Sequence, residues 1–223
     1  MRFLFPRQYR YYCWSEIENL RDQLLRTTDR LPITDYGTGT QTSLPVYKIA
    51  KNHLERSEVG QLFFKLIVHL RHELQRDLHI VELGTSLGLT TAYLAAPHPK
   101  NKVTTYEGNP ETLRIAQRNW ERLRLQNITP ILGNIDHTLL NNAREEKIAE
   151  PIDFIFMDAA KGQYINFMPE VMRLLKRDGV LVSDNVLQDG DIIAGERNLD
   201  HNQVRAVKDW VRSNMYDLKR EWE

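Results

Sequence analysis

The sequence predicts a doubly wound α/β fold, a mostly parallel sheet with helices on both faces. Three observations predict it. Five short segments are apolar through most of their length, the pattern of strands buried on both sides rather than one. Helical patterns lie between them, so successive strands are joined by crossovers. The 223 residues suit one large domain with a sizeable core.

In chain order, Ile17, Leu20, Leu24, Leu25 and Leu31 predict an amphipathic helix over residues 17–31, its apolar face open to a second copy of the chain in a homodimer. The stretch from Thr34 to Ser43, with Gly37 and Gly39 and closed by Pro45, reads as a turn-rich linker or mobile lid. Val59, Leu62, Phe63, Leu66, Ile67, Leu70 and Leu74 share one face of the clearest helix. The five strands follow at 79–84, 102–107, 130–133, 153–158 and 179–184. Helical patterns near 90–96, 110–126, 139–147 and 164–175 separate them. Residues 186–223 hold one more helical pattern (Val204, Val207, Trp210, Val211) and no hairpin, so the C-terminal strands that close such sheets are expected to be missing. Residues 1–50 are read as a helical and loop extension, and 51–223 as the cofactor-binding domain.

Composition narrows the function. Thirty Lys and Arg balance thirty Asp and Glu, so no global field draws the chain to nucleic acid. The single cysteine, Cys13, excludes an internal disulfide framework and a cysteine zinc cluster. The longest apolar stretch, Val59 to Leu70, is interrupted by Gln61, Lys65 and His69 and is too short to span a bilayer. No secretory signal is apparent at the N-terminus, and a soluble cytoplasmic protein without a membrane partner is expected. The seven histidines show no metal-binding spacing. The aromatic and basic cluster at 9–14 is expected to pack on the domain rather than to stack on RNA.

Ligands of open α/β sheets bind beyond the carboxyl ends of the strands, where the winding reverses. Four of the five strands end in polar or glycine features: Glu82-Leu83-Gly84, Glu107, Asp158 and Asp184-Asn185. In V-E-L-G-T-S-L-G-L-T, residues 81–90, Gly84 lets backbone approach a ligand and Gly88 eases packing at the helix start. Glu107, about 20 residues on, stands where a carboxylate accepts both hydroxyls of a ribose. The cofactor is therefore adenosine-containing, a nicotinamide dinucleotide or S-adenosylmethionine. Adjacent strands lie about 4.8 Å apart, so Asp158 and the Asp184-Asn185 pair would converge on one small volume. These are hard oxygen ligands that suit Mg²⁺ rather than zinc. Lys161 would overhang them from its loop.

Together E-L-G-T-S-L-G-L-T-T-A-Y-L-A, T-Y-E-G-N-P-E-T-L, F-M-D-A-A-K-G-Q-Y and S-D-N-V-L-Q-D-G resemble the class I, cation-dependent O-methyltransferases, the catechol and caffeoyl-CoA group. The last two segments look closest to bacterial members, including tRNA 5-hydroxyuridine methyltransferases. The resemblance, over about residues 59–190, implies a Rossmann-like sheet, S-adenosylmethionine as cofactor and a divalent cation, Mg²⁺ or another. It implies that Asp158, Asp184 and Asn185 hold the metal, and that Glu82, Gly84, Ser86 and Thr90 surround the methionine part of the cofactor. Glu107 would take the ribose, Gly133, Asn134 and Ile135 would border the adenine, and Asp158 would also face the cofactor. Lys161 would be the catalytic base, with Asp158 beside it. The acceptor would be a small phenolic hydroxyl or a tRNA hydroxyuridine. The segment D-Y-G-T-G, residues 35–39, looks more like an uncharacterised methyltransferase branch. Two other readings stay open: a nicotinamide-dependent oxidoreductase, and a cofactor-binding protein without turnover.

Overall fold

A computed structural model describes residues 11–34, 36, 39–144, 151–159 and 164–184. Helix α1 (Tyr12–Leu24) buries Trp14, Ile17, Leu20 and Leu24, a spacing of three to four residues that lines one face. It stops well short of residue 31. Pro32 lacks an amide hydrogen and disfavours helical geometry at Leu31, so the chain turns extended there. Leu31 belongs to strand β1 (Arg30–Thr34), which pairs antiparallel with β2 (Gln41–Pro45). Both ends of the expected linker, Thr34 and residues 41–43, thus belong to the strands of a hairpin. Pro45 then stands at the N-cap of a short helix, α2 (Val46–His53), before the long α3 (Ser57–Leu74).

The apolar face of α1 is covered within the chain. Trp14, Ile17, Leu20 and Leu24 join Leu31, Val46, Ile49, Phe64 and Tyr93 in one core. This removes the ground on which the face was expected to receive a second copy. Tyr11 and Trp14 pack against Phe64 through tilted and edge-on ring contacts, so these two members of the aromatic N-terminal cluster pack on the domain while Tyr12 is exposed.

Strand β3 (His79–Leu83), helix α4 (Leu89–Ala95), β4 (Lys102–Glu107), α5 (Pro110–Arg122), β5 (Ile128–Leu132), α6 (Ile135–Arg144), β6 (Ile152–Met157), α7 (Tyr164–Leu174) and β7 (Leu175–Ser183) complete the alternation. The five strands form one parallel sheet in the order β5-β4-β3-β6-β7. Winding runs outward from β3 to β5, then returns across the sheet to β6 and β7. The reversal therefore lies between β3 and β6.

Successive strand residues point to opposite faces. Ile80, Phe154 and Phe156 meet Phe63 and Ile67 of α3 on one side, while Val81, Leu83, Ile155 and Met157 meet α6 and α7 on the other. Pro130 is tolerated because β5 is an edge strand among the described residues. The expectation of missing closing strands concerns residues 186–223, which lie outside the described residues.

Candidate cofactor and cation site

The turn after β3 sits at the switch point, and backbone packing dictates its glycine. Gly84 has φ +108° and donates its amide to the Tyr106 carbonyl at 3.0 Å. A Cβ at this position would collide with the Asp158 carbonyl oxygen. Gly84 thus brings the ends of β3, β4 and β6 together. Gly88 lies under Trp120 of α5, whose Nε1 donates to the Gly88 carbonyl at 2.8 Å. This is the close packing expected at the start of α4.

Ser86 has φ 51°, rare for a residue with a side chain, and this conformation aims its amide at Glu107 Oε2 at 2.7 Å. Glu107 Oε1 accepts the Asn109 amide at 2.8 Å. Two backbone donors therefore hold a carboxylate that is only 8 % exposed, at the position expected for a ribose acceptor. Burial pushes its pKa up, against the lowering effect of those donors. The Ser86 hydroxyl is buried and has no hydrogen bond among the described residues.

Glu82 lies deeper, wholly buried within the sheet. Its Oε2 accepts from Thr105 Oγ1 at 2.6 Å and from Thr91 Oγ1, while Oε1 has no partner among the described residues. Burial pushes its pKa up to about 8, with a smaller rise from Asp158 and Glu107. The folded chain thus keeps a proton that the unfolded chain has already released above 4.5. Stability should fall as pH rises through the window from about 4.5 to 8, because the native state binds more protons there. Thermal midpoints of the metal-free chain across this window should decline, and Glu82→Gln, which mimics the protonated acid, should flatten the decline. Equal slopes in both proteins would contradict the assignment.

At the same sheet edge, oxygens of Glu55, Asp158 and Asp184 lie within 4.8 Å of one another, all three half-buried. The backbone fixes two of them, since the Asp158 amide donates to Leu83 O at 2.8 Å and that of Asp184 to Met157 O at 3.0 Å. Glu55 comes from the short connection between α2 and α3 and was not singled out in the sequence. Nothing in L-E-R-S distinguishes it from a solvated loop residue; only the fold brings it to Asp158. The hard oxygens of three carboxylates this close suit Mg²⁺.

The remaining expected residues divide. Thr90 is buried in the first turn of α4, beside the glycine turn. Gly133 follows β5, and its amide donates to the Glu107 main-chain carbonyl at 2.9 Å, tying the expected adenine loop to the end of β4. Asn134 Oδ1 accepts the Asp136 amide at 3.1 Å, as an N-cap of α6 does. Ile135 packs into the core with Leu83, Tyr106 and Leu139. Its side chain serves packing because the first turn of α6 rests on the sheet. Lys161 and Asn185 lie outside the described residues.

A central β3 carrying the glycine turn, an acid ending β4, and winding that reverses at β6 define the Rossmann-like fold of class I methyltransferases. Solved structures share it. The O-methyltransferase from Bacillus cereus in complex with SAH superposes with a TM-score of 0.70 at 21% identity, covering 93% of this chain and 82% of that one. TomG from Streptomyces achromogenes, an O-methyltransferase in complex with SAM, gives 0.69 at 16% identity, covering 93% and 81%. The sequence profile of the O-methyltransferase family matches residues 44–219, and the chain belongs to that family. Among curated relatives, a catechol O-methyltransferase of Niastella koreensis is 33% identical over 127 residues, 56% of this chain and 57% of its own length. One from Mycobacterium tuberculosis is 30% identical over 130 residues, covering 57% of each. The matches thus span little more than half the length of these relatives.

Proposed function

We propose that the protein transfers the methyl group of S-adenosylmethionine to a hydroxyl of a small phenolic, catechol-like acceptor held beside a divalent cation. The observation that carries this reading is the convergence of Glu55, Asp158 and Asp184 next to the glycine turn and Glu107. Family membership supports the methyl-transfer chemistry, and Glu82 Oε1 and the Ser86 hydroxyl, which have no hydrogen-bond partner among the described residues, leave polar capacity for a cofactor. The reaction forms an O–C bond as the S–C bond of the sulfonium breaks, in line.

Glu107, clamped by two amides, would accept the ribose hydroxyls, and the glycine turn would pass close beneath the methionine part. Asp158, Asp184 and Glu55 would hold the cation, with Asn185 proposed as a further oxygen ligand. When bound, the cation supplies positive charge that lowers the pKa of the acceptor hydroxyl. Asp158 joins the two halves of the site, since its own backbone packs against Gly84. Lys161, three residues further on, is proposed to take the acceptor proton.

Labelled S-adenosylmethionine offered to a catechol panel and to total tRNA, with and without Mg²⁺, tests the reading. Label is expected in a catechol only when Mg²⁺ is present. Label in tRNA would replace the acceptor, and its absence everywhere would overturn the enzyme. Glu107→Ala should weaken cofactor binding by about 1.5–3 kcal/mol, the range for losing hydrogen bonds to a charged acceptor. An unchanged dissociation constant by calorimetry would remove Glu107 from the ribose site.

A further inference from the structure

The β1–β2 hairpin reaches the candidate ribose site through one side chain. Asn109 occupies the N-cap of α5, where an asparagine ordinarily accepts an amide of the first helical turn, yet it makes no capping hydrogen bond. Its amide group faces the hairpin instead. Asn109 Oδ1 accepts the Thr34 amide at 2.7 Å, and Asn109 Nδ2 donates to the Thr34 carbonyl at 3.0 Å. These two bonds copy a β-bridge between residues 75 positions apart. The next described hairpin residue repeats the docking, since the Tyr36 hydroxyl donates to Gly108 O at 3.0 Å and its ring lies on Gly108. Any Cβ on Gly108 would run into that ring.

The held segment is Gly108-Asn109, and the backbone amide of Asn109 donates to Glu107 at 2.8 Å, with the Gly108 backbone and the Asn109 side chain also favouring the carboxylate. A further donor, the Ser86 amide, belongs to the glycine turn. The Gly108-Asn109 side of the clamp is therefore braced by the N-terminal hairpin as well as by α5.

We propose that Asn109 is a positioning residue which, held by Thr34 and Tyr36, sets the Glu107 carboxylate for the two hydroxyls of the cofactor ribose. The hairpin is then part of the cofactor site through Thr34 and Tyr36. Surrendered capping is the physical sign: an N-cap asparagine without its bond forgoes helix stability unless its amide is used elsewhere. The inference rests on the reading that Glu107 binds the ribose of S-adenosylmethionine.

The test is calorimetric, using S-adenosylhomocysteine and its 2′,3′-dideoxy analogue, which lacks both ribose hydroxyls. Against the full-length chain, Asn109→Ala should weaken the parent ligand about tenfold and the dideoxy analogue less than twofold, since the lost bonds act only through the hydroxyls. Tyr36→Ala, which leaves Asn109 and the cap of α5 in place, should reproduce the selective loss to a smaller degree and serves if Asn109→Ala fails to fold. Equal losses for both ligands would mean general loosening and would overturn the proposal, as would unchanged binding in either folded variant. If the wild-type chain bound the parent no better than the dideoxy analogue, the ribose reading of Glu107 would fall, and this inference with it.

Discussion

Gly84→Ala is expected to lower unfolding stability by about 2–5 kcal/mol, combining strain at a special backbone conformation with overpacking. Both contributions arise at one atom. At φ +108° a residue with a Cβ is strained whatever surrounds it, and here the Cβ would also strike the Asp158 carbonyl. The loop cannot move aside cheaply, because Gly84 and Thr85 both donate to Tyr106 O and the neighbouring Asp158 amide is bonded to Leu83 O. Relief would require β6 to separate from β3 at the switch point, disturbing the glycine turn and Asp158 together. Urea denaturation should show a lower midpoint with an unchanged slope. A midpoint within experimental error of wild type would mean that the turn has room that the geometry denies.

Much of this arrangement was legible in the sequence because parallel strands buried on both faces leave long apolar runs. The edges of β4 coincide with the expected ones, and α5 starts at Pro110 as expected. What failed was the N-terminal region. There the hairpin is short, partly exposed and flanked by glycine and threonine, so Leu31 and Ile33 are the whole of the apolar alternation in β1. Pro32 was the available signal that residues 17–31 could not be one helix.

The site was legible only by position. Asp153 and Asp158 bracket the same strand in D-F-I-F-M-D, yet Asp153, 1 % exposed, is neutralised by Arg76 at 2.7 Å and Lys176 at 2.9 Å at the opposite edge of the sheet. It is a structural ion pair. Asp158 lies at the carboxyl edge, where its carboxylate meets those of Glu55 and Asp184. Chain direction distinguishes the two, and that direction follows from the parallel crossovers. Glu55 could not be found this way, because it reaches the site from a connection outside the sheet.

Asp184→Ala is expected to abolish cation-dependent methyl transfer and to weaken Mn²⁺ or Mg²⁺ binding at least about a hundredfold, the upper range for losing a supporting residue of a metal site. The magnitude follows from the small donor set. Among the described residues three carboxylates converge, so removing one takes away a charge and a ligand together. The fold should survive. The backbone bond from the Asp184 amide to Met157 O does not involve the side chain, so the end of β7 keeps its place. The metal-free chain should therefore still unfold cooperatively, while the rise in thermal midpoint that saturating Mg²⁺ gives wild type by mass action should disappear. Glu55→Gln keeps an oxygen ligand and loses only a charge, so it should weaken the cation by about tenfold, one interaction of roughly 1.4 kcal/mol. Calorimetric titration with Mn²⁺ separates the three proteins. Wild-type turnover persisting in EDTA, or full cation affinity in Asp184→Ala, would show that these carboxylates serve something other than a metal.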